Sequence, residues 1–136
     1  MIERVFVDTN IFFYADDLAA KAKRTKARAL LSELIRDRRA VVSTQVLQEY
    51  FVTVTRKLGL TPGQAKLRVQ NLARLDVVVI RPELIVGAIE LHRDHTLSFW
   101  DALIVKAALA GGCTRLVTED LNDGQRIEGL TVSHPF

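Results

Sequence analysis

Apolar residues along this chain follow two rhythms. Short unbroken runs read as buried strands, and runs spaced by three and four residues read as helices. Arg4-Val5-Phe6-Val7-Asp8 predicts a short buried strand that ends in an acid. Residues 21–37 place Ala27, Leu30, Leu31, Leu34 and Ile35 at helical spacing, and Ala40-Val41-Val42-Ser43 predicts a second strand. Thr44 is placed to cap a helix through Leu58, with Leu47, Tyr50, Phe51, Val54 and Leu58 as its apolar positions and Gly59 as its stop. Thr61-Pro62 starts another helix, because threonine can accept a backbone N–H and proline is tolerated at the first helical position. Val77-Val78-Val79-Ile80 predicts a third strand, apolar throughout and so suited to burial on both faces. Pro82 opens a helix to His95, and Ser98 caps one that ends at Gly111-Gly112. Arg115-Leu116-Val117-Thr118 predicts a fourth strand and Leu130-Thr131-Val132-Ser133 a fifth.

Strands and helices alternate along the whole chain. That order predicts an α/β fold with a central, mostly parallel sheet of four to five strands and helices on both faces. With 136 residues, 49% of them apolar and 26% charged, residues 1–136 suit a single domain with a real core and exclude a disordered chain. In sheets of this kind ligands bind beyond the carboxyl ends of the strands. Acids at strand ends and helix starts therefore become the candidates for chemistry.

The single cysteine, Cys113, excludes an internal disulfide and a cysteine-rich zinc site, and His92, His95 and His134 are too few and too badly spaced to replace it. A reduced, cytoplasmic setting is the simplest expectation. Met1-Ile2-Glu3-Arg4-Val5 has no apolar stretch of a signal peptide, and the longest apolar stretch, Ala102 to Cys113, carries Lys106 and is too short to span a membrane. The net charge of +3 is unevenly spread. Lys21 to Arg81 holds 14 basic and 4 acidic residues, an excess of +10, against 5 basic and 12 acidic residues elsewhere, or −7. Such polarity offers a polyanion a positive face, although Lys21, Lys23, Arg24, Lys26 and Arg28 also read as the solvated face of one helix.

Four acids stand in settings that disfavour an isolated charge. Asp8 follows directly on an apolar strand, and Asp120 follows another, with Glu119 and Asp123 close by. Glu49 lies mid-helix beside Val46, Val52 and Thr53. Asp101 opens a helix whose next twelve residues hold one charge, Lys106. Carboxylates in such places are costly unless paired or bound to a cation, so four of them suggest a shared cation. Each also has a plain structural reading. Asp8-Thr9-Asn10 can cap a helix, Ser98-Phe99-Trp100-Asp101 fits a capping box, Glu49 can be a surface acid, and 119–124 can be a polar turn. Trp100 reads as core or site wall before it reads as a platform for bases, and Ile11, Phe12, Phe13 and Tyr14 read as core.

Together these pieces resemble the PIN-domain ribonucleases, in particular the VapC toxins of toxin–antitoxin pairs. The resemblance rests on Val7-Asp8-Thr9-Asn10, on Val46-Leu47-Gln48-Glu49-Tyr50, on Leu97-Ser98-Phe99-Trp100-Asp101-Ala102 and on Thr118-Glu119-Asp120. It implies a Mg²⁺- or Mn²⁺-dependent endoribonuclease, usually dimeric, inhibited by a small antitoxin protein. It implies Asp8, Glu49, Asp101 and Asp120 as the acidic quartet and Thr9 and Asn10 as small polar residues that order the first acid. Glu119 and Asp123 compete with Asp120 for the last place. A hard cation suits these oxygen ligands, with Asp8 and Asp101 expected to bind the first ion and Glu49 and Asp120 to complete the pocket or orient the water.

Three rivals stand at this level, of which a phosphate-accepting receiver domain is disfavoured because paired acids near the first strand and a lysine on a late strand are not in the expected places. A phosphatase with an aspartyl nucleophile needs a second acid two residues after Asp8, where Asn10 stands. A non-catalytic RNA- or protein-binding module on the same fold has no reason to gather unpaired carboxylates near an anionic ligand.

Overall fold

The computed structural model describes residues 2–136. Along the chain the elements are β1 (Val5–Val7), α1 (Thr9–Asp16), α2 (Lys21–Arg36), β2 (Ala40–Ser43), α3 (Thr44–Lys57), α4 (Pro62–Leu72), β3 (Asp76–Val78), α5 (Pro82–Asp94), α6 (Phe99–Ala110), β4 (Arg115–Val117), β5 (Arg126–Ile127) and β6 (Leu130–Ser133). The six strands form one sheet in the order β3-β2-β1-β4-β6-β5. All neighbours run parallel except β5 and β6. The chain is α/β, with one strand more than the expected four to five.

Every residue of β1 and β2 is buried. Successive side chains of a strand point to opposite faces, so both faces of the sheet centre must be covered. α6 packs over β2, β3, β4 and β6 and pairs with α5, while α1 packs on α2 and α3, and α3 on α4. Phe6, Ile11, Leu34, Leu116 and Leu130 are the largest side chains of the sealed core.

The third strand departs from expectation. It covers Asp76–Val78 rather than Val77–Ile80, it forms the edge of the sheet, and Val79 is exposed. An apolar run is compatible with an edge strand when a helix shields only part of it. Arg4 ties this edge down through ion pairing with Asp76 and a 2.7 Å bond from its Nε to the Gly111 carbonyl. Ser43, not Thr44, caps α3, its hydroxyl accepting from Val46 N–H, and Thr44 is already helical. Its apolar stripe is incompletely covered, since Phe51 is exposed, as is Ile35 on α2. Thr61 and Gln64 form a reciprocal capping box at the start of α4. Gly59, at φ +67°, takes the left-handed conformation that ends the preceding helix.

No helix among the described residues is long and apolar enough to cross a membrane.

Candidate active site

β1 and β4 are parallel neighbours in register, Val7 opposite Val117. Their carboxyl ends therefore deliver Asp8 and Thr118 to the same edge. There a pocket of about 630 Å³ opens, whose walls include Asp8, Thr9, Asn10, Glu49, Glu119 and Asp120, with Phe13, Tyr14, Lys57 and Trp100 around them.

Asp8 is the buried member. It caps α1, its Oδ1 accepting from Thr9 N–H at 2.7 Å, and its Oδ2 accepts from the Thr118 hydroxyl at 2.8 Å. The capping reading and the pocket reading thus describe one residue. Burial pushes its pKa up to about 7, the two hydrogen bonds oppose this, and the negative charges of Asp120 and Glu49 add to it. Glu49 is half-buried in α3. Its Oε1 accepts from the Thr9 hydroxyl at 2.9 Å and its Oε2 from Gln45 Nε2 at 3.4 Å. Asp120 is exposed, its Oδ2 accepts from Asn10 Nδ2 at 3.1 Å, and its backbone N–H donates to Thr118 Oγ1 at 3.0 Å.

Asp101 sits on the first turn of α6, half-buried, beside the pocket rather than in its wall. Burial raises its pKa, the Ser98 hydroxyl opposes the rise, and the charge of Asp120 adds to it. The quartet therefore shares one electrostatic neighbourhood, with Asp8 coupled to Asp120 and Glu49, and Asp101 to Asp120. The two competitors for the last position are otherwise engaged. Glu119 lies in the wall but takes an ion pair from Lys23 at 2.9 Å. Burial works to raise its pKa, yet bonds from Lys23 and Tyr14 outweigh it and hold the acid below its usual value. Asp123 is outside the pocket, and its Oδ1 accepts from His134 N–H at 2.9 Å.

The basic helix is more committed than either reading of its charges assumed. Lys23 serves Glu119 and lies 4.4 Å from the Tyr14 ring centroid, and Arg28 Nε donates to the Ala15 carbonyl at 2.7 Å. The lysine in the pocket wall is Lys57, 5.5 Å from the Phe13 ring centroid.

Residue-by-residue reading gave no role to Thr118 or Gln45, and it placed the phosphate contacts of the 21–81 lysines and arginines outside the acidic pocket, whereas Lys57 lies in its wall. Thr118 is buried and joins three of the pocket residues, donating to Asp8 while accepting from Asp120 N–H and, at 3.4 Å, from Asn10 Nδ2. Its sequence signal is its place at a strand end before two acids. Gln45 stands one helical turn before Glu49, a spacing that puts the two on one face.

Does this pocket suit a hard divalent cation? Among the described residues no three His, Cys, Asp or Glu side chains converge as a ready metal cage. The donor chemistry does fit. The donors are oxygens, Asp8 carries a charge that burial and its neighbours disfavour, and Asn10 Oδ1 is buried without a partner.

A family model described as PIN domain matches residues 5–127 of the chain. A comparison with curated protein sequences finds no significant match. Solved structures of similar fold include a toxin–antitoxin complex from Klebsiella pneumoniae, with a TM-score of 0.71 and 19% identity over 97% of this chain and 98% of that one. VapC20 from Mycobacterium tuberculosis, a sarcin-ricin loop cleaving toxin, gives 0.66 and 21% over 82% and 86%. VapBC2 from Rickettsia felis, bound to a DNA fragment from its promoter, gives 0.68 and 21% over 95% and 96%.

Proposed function

This chain belongs to the PIN-domain family, and from that premise we propose that it is an endoribonuclease acting as the toxin of a toxin–antitoxin pair. The observation that carries this reading is the gathering of Asp8, Glu49 and Asp120 around one pocket, from residues as far apart in sequence as 8 and 120, with Asp101 alongside. The resemblance in fold to structures described as toxins supports the biological setting. We take residues 1–136 as one nuclease domain in the cytoplasm, a homodimer whose partners are RNA and a small antitoxin protein.

Mg²⁺ or Mn²⁺ would be held by Asp8 and Asp101, with Glu49 and Asp120 completing the set. When bound, such an ion supplies an activated water and offsets charge at the phosphate. The protein's own contribution is positioning. Thr118 and the Thr9 amide fix the orientation of the Asp8 carboxylate, which would hold the ion. Thr9 and Gln45 hold Glu49 where it can orient water by hydrogen bonds. Asn10 aims Asp120. Lys57 meets a phosphate that the acids would otherwise repel.

The phosphatase rival loses support from the site itself. Asn10, which stands where that chemistry needs an acid, commits its amide to Asp120 and Thr118.

The test incubates the purified, partner-free chain with labelled RNA and with a phosphomonoester, with and without EDTA. RNA fragments that disappear with EDTA and with Asp8→Ala are expected. Phosphate release from the monoester, or RNA binding without turnover, would overturn the proposal in favour of one of its rivals.

A further inference from the structure

The acid-walled pocket presents a problem for any RNA that enters it. Among the described residues its lining holds four carboxylates, of Asp8, Glu49, Glu119 and Asp120, and one cationic side chain, Lys57. Glu119 is neutralised by Lys23, but the remaining acids still repel a phosphate. An ion held there, as proposed above, would offset charge at the reacting phosphate, but neither it nor Lys57 engages a base. An uncharged contact beside the acids would add affinity of that kind.

Trp100 lies there. It is a wall residue of the pocket and 61% exposed, although it stands in a helix whose following residues are almost all buried. The expectation that it serves as core is overturned, while its place in the site wall holds. An indole left mostly in water forgoes much of the stabilisation its area would give in a core. Its position is nevertheless fixed. The Trp100 carbonyl accepts from Gln45 Nε2 at 3.3 Å, and Gln45 is itself buried and also donates to Glu49. Phe99 braces the indole at 5.0 Å in a T-shaped contact rather than stacking over it. One amide therefore ties the aromatic wall to an acid of the quartet. On α1, Phe13 is half-buried against Tyr14 and near Lys57, so its ring is already engaged.

We propose that Trp100 is a substrate-positioning residue, an open platform on which one unpaired RNA base stacks so that the neighbouring phosphate lies over the acids. The proposal rests on the nuclease reading above and adds to it one residue that engages a base, which must be free, as in a loop or a single-stranded stretch. Every base has a π-face, so the platform selects unpaired over paired bases more than one sequence over another. The affinity it provides is insensitive to salt, unlike that of Lys57.

Trp100 is the only tryptophan in the chain, so its fluorescence reports on this contact alone. In the Asp8→Asn chain, where turnover is not expected, a short single-stranded oligoribonucleotide should quench that fluorescence. The same strand with an abasic site moved along it should lose the quenching at one position. Trp100→Ala should raise KM roughly ten- to a hundred-fold with kcat nearly unchanged, as expected for one lost base–aromatic stack, and Trp100→Phe should recover most of it. An unquenched indole together with full cleavage by Trp100→Ala would overturn the proposal and make this a contact for a protein partner. A KM defect that phenylalanine does not rescue, without quenching, would also overturn it, as a merely structural effect. Base-dependent quenching in a wild-type chain that cleaves nothing would leave the platform standing and overturn the nuclease reading instead.

Discussion

The Thr118 hydroxyl donates to Asp8 Oδ2 at 2.8 Å across the β1–β4 pairing, and both side chains are buried. One oxygen thereby links the first acid of the site to the last, since it also accepts from the Asp120 amide. Thr118→Val keeps the shape and removes the hydroxyl. It leaves Asp8 Oδ2 without its donor and the Asp120 N–H without its acceptor, which should cost about 1–3 kcal/mol of stability in denaturant unfolding. RNA cleavage should fall with it. Wild-type stability in this variant would show that water replaces the hydroxyl.

The acid in that pair also makes stability depend on pH. Asp8 is raised from 3.8 to about 7, so the folded chain holds the proton more tightly than the unfolded one. The unfolded chain therefore releases it first as pH rises. Stability contributed by this residue should be greatest below about pH 4, decline to about pH 7 and level off above, a span of up to roughly 4 kcal/mol. Asp8→Asn removes the titration. In EDTA it should melt above wild type at pH 8, and the gap should close toward pH 4. Adding Mg²⁺ should stabilise wild type more than the variant. Parallel melting curves across that range, with no response to metal, would count against a charge-strained pocket.

Neighbouring acids should differ sharply in importance. Among the described residues Asp120 has no cationic partner, whereas Lys23 already balances Glu119. Asp120→Asn is expected to reduce the cleavage rate by roughly a hundred-fold or more, and Glu119→Gln by only a few-fold. Single-turnover rates on one RNA would compare them. Equal losses would mean that the Lys23 pair opens during the reaction.

Lys57 is the cation of the pocket wall. Lys57→Gln should weaken RNA binding across sequences and lower the slope of log affinity against log salt by about 1. An unchanged slope would place the phosphate contacts elsewhere, on exposed residues such as Lys21 and Lys26 of α2.

Much of this architecture was legible in the pattern of residues. Val5-Phe6-Val7 and Leu116-Val117 are short apolar runs that end in polar residues, and those ends bring Asp8 and Asp120 to one edge. Other features leave little periodic signal. β5 is only two residues long, formed where the turn through Glu128 and Gly129, at φ +51° and +87°, folds the chain back on itself. α1 starts directly after the acid that ends β1, so its residues 11–14 read as core until Phe13 and Tyr14 are seen at the pocket wall. The Lys23–Glu119 pair spans 96 positions and depends on how α2 packs. An exposed Trp100 contradicts its apolar neighbours, as sites often depart from local rules.

The position of β1 between β2 and β4 bears on how this protein comes into being. During synthesis the earliest strand waits for one of the latest. A nascent chain stopped before Arg115 carries Asp8, Glu49 and Asp101, yet it has an open β1 edge and neither Thr118 nor Asp120. Until residues 115–120 are made and paired with β1, the candidate site is therefore incomplete, and its assembly depends on topology rather than on local sequence.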